Sequence, residues 1–247
     1  METNYQIGCS GYYYPDWRGH IYPKELKPSE WLQYYSRILN TVELNGTFYN
    51  TPRLKSLQTQ ANATPPHFRF SAKMNRYITH ILKLKDCKQR IKDFQELLHE
   101  GLGKKLSYYL FQMPPSFHYN EENLERILKN IPHHSHNVIE LRHISWWNDD
   151  VKREFKKARL TFCNVDFPGL DTTFIHTSPD FYLRLHGNPE LFKTPYTKHK
   201  LEEFFKMFPE NAKNYSVYFN NTFSGAGYDN ALQLIDIWHK HALQEHH

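Results

Sequence analysis

Long apolar runs are missing from this chain. Nothing in its 247 residues approaches the ~18 consecutive apolar positions needed to span a bilayer. The N-terminus is polar and has no apolar core of the kind a signal peptide carries. Both absences predict a cytoplasmic protein with no membrane partner. Cysteine is scarce: Cys9, Cys87 and Cys163 are odd in number and none is close to another. That excludes a disulfide framework and a Cys-based zinc site. There is no P-loop, no G-x-G-x-x-G after a strand, no G-x-S-x-G elbow and no H-E-x-x-H, so a nucleotide cofactor is not expected. No Gly/Ser linker, low-complexity tract or solenoid-period repeat divides the sequence, and one domain over 1–247 is expected. Net charge is +5, but the 31 Lys and Arg residues are spread out, with no dense tract to make a nucleic-acid arm.

Aromatic residues, by contrast, are plentiful at 16%. Large rings bury much surface each, and they compensate for a hydrophobic fraction of 39%. A length near ~250 residues is typical of one (β/α)8 barrel. Short strand-like runs alternate with helix-like runs, which predicts a parallel α/β architecture. The runs fall at 7–10, 41–45, 68–73, 107–113, 138–142, 160–166, 181–186 and 216–220. Eight strands close a barrel whose interior side chains can fill. Ser29 is placed to cap a helix through Leu39, Asn120 one over 121–130, Asn148 one to Ala158, and Thr197 one to Phe208. Helical spacing also marks 86–100 and 228–242. The stretch 167–180 has two prolines and no helical pattern, so a loop is expected to replace one outer helix.

Side chains alternate faces along a strand. Val42 and Leu44 oppose Glu43 and Asn45; Ile139 and Leu141 oppose Glu140 and Arg142; Leu183 and Leu185 oppose Arg184 and His186. If the apolar face meets the outer helices, the polar face points into the barrel. Polar residues then recur at the C-terminal strand ends: Asn45, Lys73, Gln112, Arg142, Asp166, His186 and Asn220. Active sites of such barrels sit at that end. The alternative is a closed ion-pair network, since Glu43, Glu140 and Asp166 roughly balance Lys73, Arg142 and Arg184.

The same residues carry a resemblance. Ile7-Gly8-Cys9-Ser10-Gly11, Val42 to Tyr49, Phe70-Ser71-Ala72-Lys73, Ile78-Thr79-His80, Gln112-Met113-Pro114-Pro115, Ile139-Glu140-Leu141-Arg142-His143 with Ser145-Trp146, Arg184-Leu185-His186-Gly187 and Phe219-Asn220-Asn221-Thr222 occur in order along nearly the whole chain. In these segments the sequence resembles the YecE-like family, also called domain-of-unknown-function family seventy-two. Asn40-Thr41, Leu44 and Gly46 depart slightly from its second-strand motif. The resemblance implies a TIM-type barrel and a site at these residues, and names no reaction.

The favoured chemistry is an enzyme (a hydrolase, isomerase or lyase) acting on a small anionic or phosphorylated substrate. Lys73, Arg142 and Arg184 would clamp the anion. Glu43 or Glu140 would serve as base and His186 or His80 as acid, with Asp166 in the same catalytic set. Asn45, Tyr49, Gln112 and Asn220 would bind and orient the substrate. A second reading is a metal-dependent phosphoesterase or nucleic-acid-binding barrel, with Glu43, Glu140, Asp166, His80 and His186 as O and N ligands for a divalent ion. It ranks lower because three cations so close would repel the metal. A third is a barrel that binds a ligand without turning it over. The run Tyr12-Tyr13-Tyr14 is expected in the first βα loop, packing over the barrel or stacking a sugar or base at its mouth.

Overall fold

A computed structural model describes residues 4–170 and 173–244. Strands β1 (Asn4–Cys9), β2 (Thr41–Leu44), β3 (Arg69–Lys73), β4 (Leu106–Gln112), β5 (Asn137–Glu140), β6 (Thr161–Asp166), β7 (Asp180–Leu185) and β8 (Asn214–Phe219) pair in parallel, in sequence order, into a closed barrel. The expected (β/α)8 fold is therefore the observed one.

Helices lie between the strands: α1 (Trp31–Tyr35), α2 (Gly46–Tyr49), α3 (Leu54–Asn62), α4 (Lys88–Leu102), α5 (Glu121–Asn130), α6 (Asp149–Ala158), α7 (Lys198–Lys206) and α8 (Ala226–Gln244). Three caps form as expected. The Asn120, Asn148 and Thr197 side chains accept from the backbone N–H groups of Asn123, Val151 and Lys200 at 2.7, 2.9 and 3.2 Å. Some elements differ from expectation. The helix expected from Ser29 to Leu39 shrinks to a 3-10 turn and α1. The Ser36 hydroxyl bonds back to the Gln33 carbonyl at 3.0 Å, which competes with continuation of the helix. Helix α3 has no clear signal in the sequence, because Leu57 is its one fully buried residue and such a thin apolar stripe gives little periodicity.

Pairing between β1 and β2 is short, with two residue pairs in register, as it is between β5 and β6. Side chains supply the missing bonds. The Tyr35 hydroxyl accepts from Cys9 N at 2.8 Å and donates to Thr41 O at 3.0 Å. The Asn40 amide bridges Ile7 N and Tyr5 O at 3.0 and 2.9 Å. So close an approach leaves no room at Gly8, where a Cβ would stand 2.1 Å from the Thr41 carbonyl oxygen.

Most strands turn their apolar set outward as expected, and Ile7, Val42, Phe70, Ile139 and Leu183 join the core under the helices. The lower barrel interior is filled by Tyr108, Leu110, Val138, Cys163, Val165, Tyr182 and Tyr218. Between β6 and β7 no helix forms among the described residues. Loop backbone covers the outside of β6 there, and its polar groups need polar partners. Asn164 accordingly accepts from Ile175 N at 2.7 Å and donates to Ile175 O at 3.0 Å. Strand β6 thus inverts the pattern, with apolar Cys163 and Val165 inside and Asn164 and Asp166 outside.

Candidate functional site

At the C-terminal strand ends the inward polar residues meet in two tiers. The lower tier is centred on Arg184, which is 1% exposed. Its Nη2 and Nε donate to Glu43 Oε1 at 2.6 and 3.1 Å, and its Nη1 donates to Glu140 Oε2. The Ser10 hydroxyl donates to Glu43 Oε1 at 2.8 Å and accepts from Arg184 Nη2 at 3.2 Å. Tyr182 donates to Glu43 Oε2 at 2.8 Å. Arg142 Nε binds Glu140 Oε1 at 2.6 Å, and His186 Nε2 lies 3.5 Å from that same oxygen. Every carboxylate oxygen in the tier has a partner.

Burial would raise the Glu140 carboxyl, but Arg184 and Arg142 outweigh it and hold it well below the usual carboxylate range. Burial would likewise lower Arg184, and the two glutamates outweigh it, so this guanidinium stays charged. His186 is pushed down to about 3, first by burial and then by Arg184. Its ring is therefore neutral near pH 7, with Nδ1 2.9 Å from the Asn220 amide nitrogen.

Above this tier lies an open cavity of about 400 Å³. It is lined by eight of the residues singled out from sequence: Asn45, Tyr49, Lys73, His80, Gln112, Arg142, Arg184 and Asn220. Arg142 reaches it from the end of β5, with Nη2 donating to Gln112 Oε1 at 3.1 Å and its guanidinium 4.9 Å from the Phe167 ring. Glu43, Glu140 and His186 lie beneath, fully buried.

Lys73 is the exception to the pairing. Its ammonium sits 3.9 Å from the centre of the Phe48 ring. Among the described residues that ammonium forms no hydrogen bond or ion pair. Burial, then the nearby Arg184, lower it to about 7, against a partial upward pull from Glu140. His80 packs edge-on against the same Phe48 ring and shares a 3.0 Å contact between Nδ1 and the Thr79 hydroxyl. Burial, then Lys73, lowers it to about 4.

Asp166 is not brought to the cavity. Because β6 is inverted, its carboxylate faces outward, where it accepts from Tyr196 at 2.5 Å and Asn188 at 3.3 Å. Among the described residues no three His, Cys, Asp or Glu side chains converge in a metal-binding arrangement. Several site residues escaped the sequence reasoning. Ser10 and Tyr182 carry the right parity, two positions from Gly8 and Arg184, but no charge that would mark them. Phe48, Arg76 and Phe192 reach the cavity from segments beyond the strands, where no strand period applies.

Comparison with known proteins agrees with this architecture. The family model described as "Protein of unknown function DUF72" matches residues 6–246. The UPF0759 protein YunF of Bacillus subtilis is 27% identical, over 94% of this chain and 93% of that protein. The UPF0759 protein YecE of Escherichia coli K12 is 28% identical over 60% of this chain and 54% of that protein. A crystal structure of a DUF72 family protein from Thermotoga maritima superposes with a TM-score of 0.85 at 30% identity, covering 96% of this chain and 99% of the other. A second from Enterococcus faecalis shares the fold at 22% identity and a TM-score of 0.77, covering 94% of each chain. The chain belongs to the DUF72 family.

Proposed function

We propose that the cavity binds a small anionic substrate bearing a phosphate or carboxylate, and that the protein is an enzyme performing proton transfer on it. One observation carries this reading. Lys73, Arg76, Arg142 and Arg184 line the cavity, and among the described residues lining it none is acidic. The two glutamates below are already matched by Arg184 and Arg142. The positive potential of Lys73 and Arg76 is left for a ligand. Arg142 uses two of its five N–H donors on Glu140 and Gln112, so others remain for a bidentate contact.

Within this reading the acid–base roles shift from the glutamates to nitrogen bases. A carboxylate locked by arginines accepts a proton poorly, whereas an amine titrating near 7 can gain or give up a proton at neutral pH. Neutral His80 would take up a proton from the bound ligand, and Lys73, which the incoming anion holds protonated, would return it. Isomerisation and elimination both fit. A cytoplasmic setting belongs to the same reading, supported by three free, buried cysteines.

Calorimetric titration with inorganic phosphate tests the anion site. Binding should be accompanied by proton uptake at pH 8, because the incoming anion raises Lys73. Arg142→Ala should weaken binding about tenfold or more, the cost of one charge-assisted contact. Binding that is indifferent to Arg142→Ala would remove the basis of the proposal. Tight binding of anions with no turnover across a panel of phosphorylated and carboxylated metabolites would leave a ligand-binding barrel.

A further inference from the structure

We propose that a second cavity beside the anion site holds the hydroxyl-bearing ring of a sugar phosphate whose phosphate rests on Lys73 and Arg142. This rests on the anion reading and extends it to a substrate class. The second cavity is also about 400 Å³ and lies between the first βα loop and α3. Tyr12, Tyr13 and Tyr14 line it, and the two cavities share Asn45. The two cavities therefore adjoin at that side chain.

The wall of this cavity holds two buried acceptors without partners among the described residues, Asn45 Oδ1 and Gln60 Oε1. Asn45 is tied down by its other atom, Nδ2, which donates to Ser10 O at 3.1 Å, so its oxygen is fixed in place. Buried amide oxygens are normally satisfied, and leaving one bare costs free energy. Two such atoms on one cavity ask for a ligand rich in donors. Hydroxyl groups supply donors, and a sugar ring also offers C–H faces that lie well against tyrosine rings. Space is available as well, since a Cβ added at Gly46 would meet nothing within 4 Å. A carboxylate or a second phosphate on this side is disfavoured, because both atoms are acceptors and neither can donate.

Titration calorimetry with inorganic phosphate, methyl phosphate and ribose 5-phosphate, at fixed ionic strength, is the test. Ribose 5-phosphate should bind about tenfold more tightly than methyl phosphate, as hydrogen bonds to two bare acceptors would give. In Gln60→Leu that advantage should shrink to about threefold or less, with phosphate and methyl phosphate unchanged. Should Gln60→Leu fail to fold, 2-deoxyribose 5-phosphate and ribose 5-phosphate can be compared on the native protein, where the missing hydroxyl should weaken binding. Equal affinity for methyl phosphate and ribose 5-phosphate would overturn the ring site and leave the anion site standing. Absence of binding by all three phosphates would overturn both.

Discussion

Below the cavity, Arg184 is 1% exposed and meets two carboxylates and the Ser10 hydroxyl; at the cavity wall, Lys73 is 9% exposed and its ammonium lies over the face of Phe48, with no ion pair among the described residues. Both cations sit on largely buried side chains. The first is compensated in full, with the carboxylate oxygens around it all engaged. The second has a ring beside it, whose attraction for a cation is about 2 kcal/mol when desolvated, and only a partial pull from the glutamates below. A buried ion pair that is complete holds the barrel mouth in shape. A buried ammonium without a carboxylate stores free energy that a ligand can release. On the proposed reading, the ligand sits above the Arg184 tier and the tier itself holds the barrel mouth in shape.

The largest effect should come from breaking the lower tier. Glu140→Gln leaves Arg184 and Arg142 short of a counter-charge, and loss of roughly 3–5 kcal/mol is expected in denaturant unfolding at pH 7. Glu43→Gln should behave alike, since its oxygens serve Arg184, Ser10 and Tyr182. A neutral or stabilising result at either position would break the comparison and return that glutamate to candidacy as general base.

Lys73→Met should do the opposite. The amine titrates near 7 in the folded protein, against an ordinary value of 10.5 once unfolded, so between those values the unfolded chain holds more protons. Stability therefore rises with pH across that window, and the deficit is complete below about 7. Removing the amine should stabilise the protein by roughly 2–4 kcal/mol at pH 7, with the gain fading towards pH 10.5. A destabilised Met variant would mean that Lys73 is as firmly compensated as Arg184.

Acid should attack the lower tier next. His186 is depressed from 6.5 to about 3, so its contribution is present above 6.5 and is lost as pH falls towards 3. Glu140, also depressed, loses its contribution in the same direction below its ordinary range. Thermal melts should show stability falling by up to about 1.4 kcal/mol per pH unit from His186 alone, and His186→Gln should flatten that slope. An unchanged slope would mean that the neutral ring is not protected by the tier.

The smallest effect is expected at Asp166. Asp166→Asn keeps an acceptor for Tyr196 and should cost about 1 kcal/mol, leaving phosphate affinity unchanged. Loss of phosphate binding in this variant would place Asp166 in the site after all.

Legibility followed the strand period. Glu43, Lys73, Gln112, Glu140, Arg142, Arg184 and Asn220 were readable because charged or amide side chains alternate with apolar ones on strands that outer helices cover. Asp166 obeyed no such rule, for a loop covers β6 and makes its outward face polar. Phe48 and Arg76, which complete the environment of Lys73 and the cavity wall, lie outside the strands, where spacing carries no facing information. Tyr182 and Ser10 have the right parity but carry no charge, so alternation alone does not single them out.

Alternation of apolar and polar residues, eight strand-length runs and three helix caps were enough to specify a closed barrel with a polar mouth, because those are local preferences written at fixed spacing. Which glutamate oxygen answers which arginine, and that Lys73 answers none, was decided by tertiary structure. Pairing in a barrel mouth depends on side chains converging from strands far apart in sequence: Glu43 meets Arg184 across 141 positions. Charge counting over the same residues suggests balance throughout, and only the geometry separates a neutralised lower tier from a wall of cations with room for an anion.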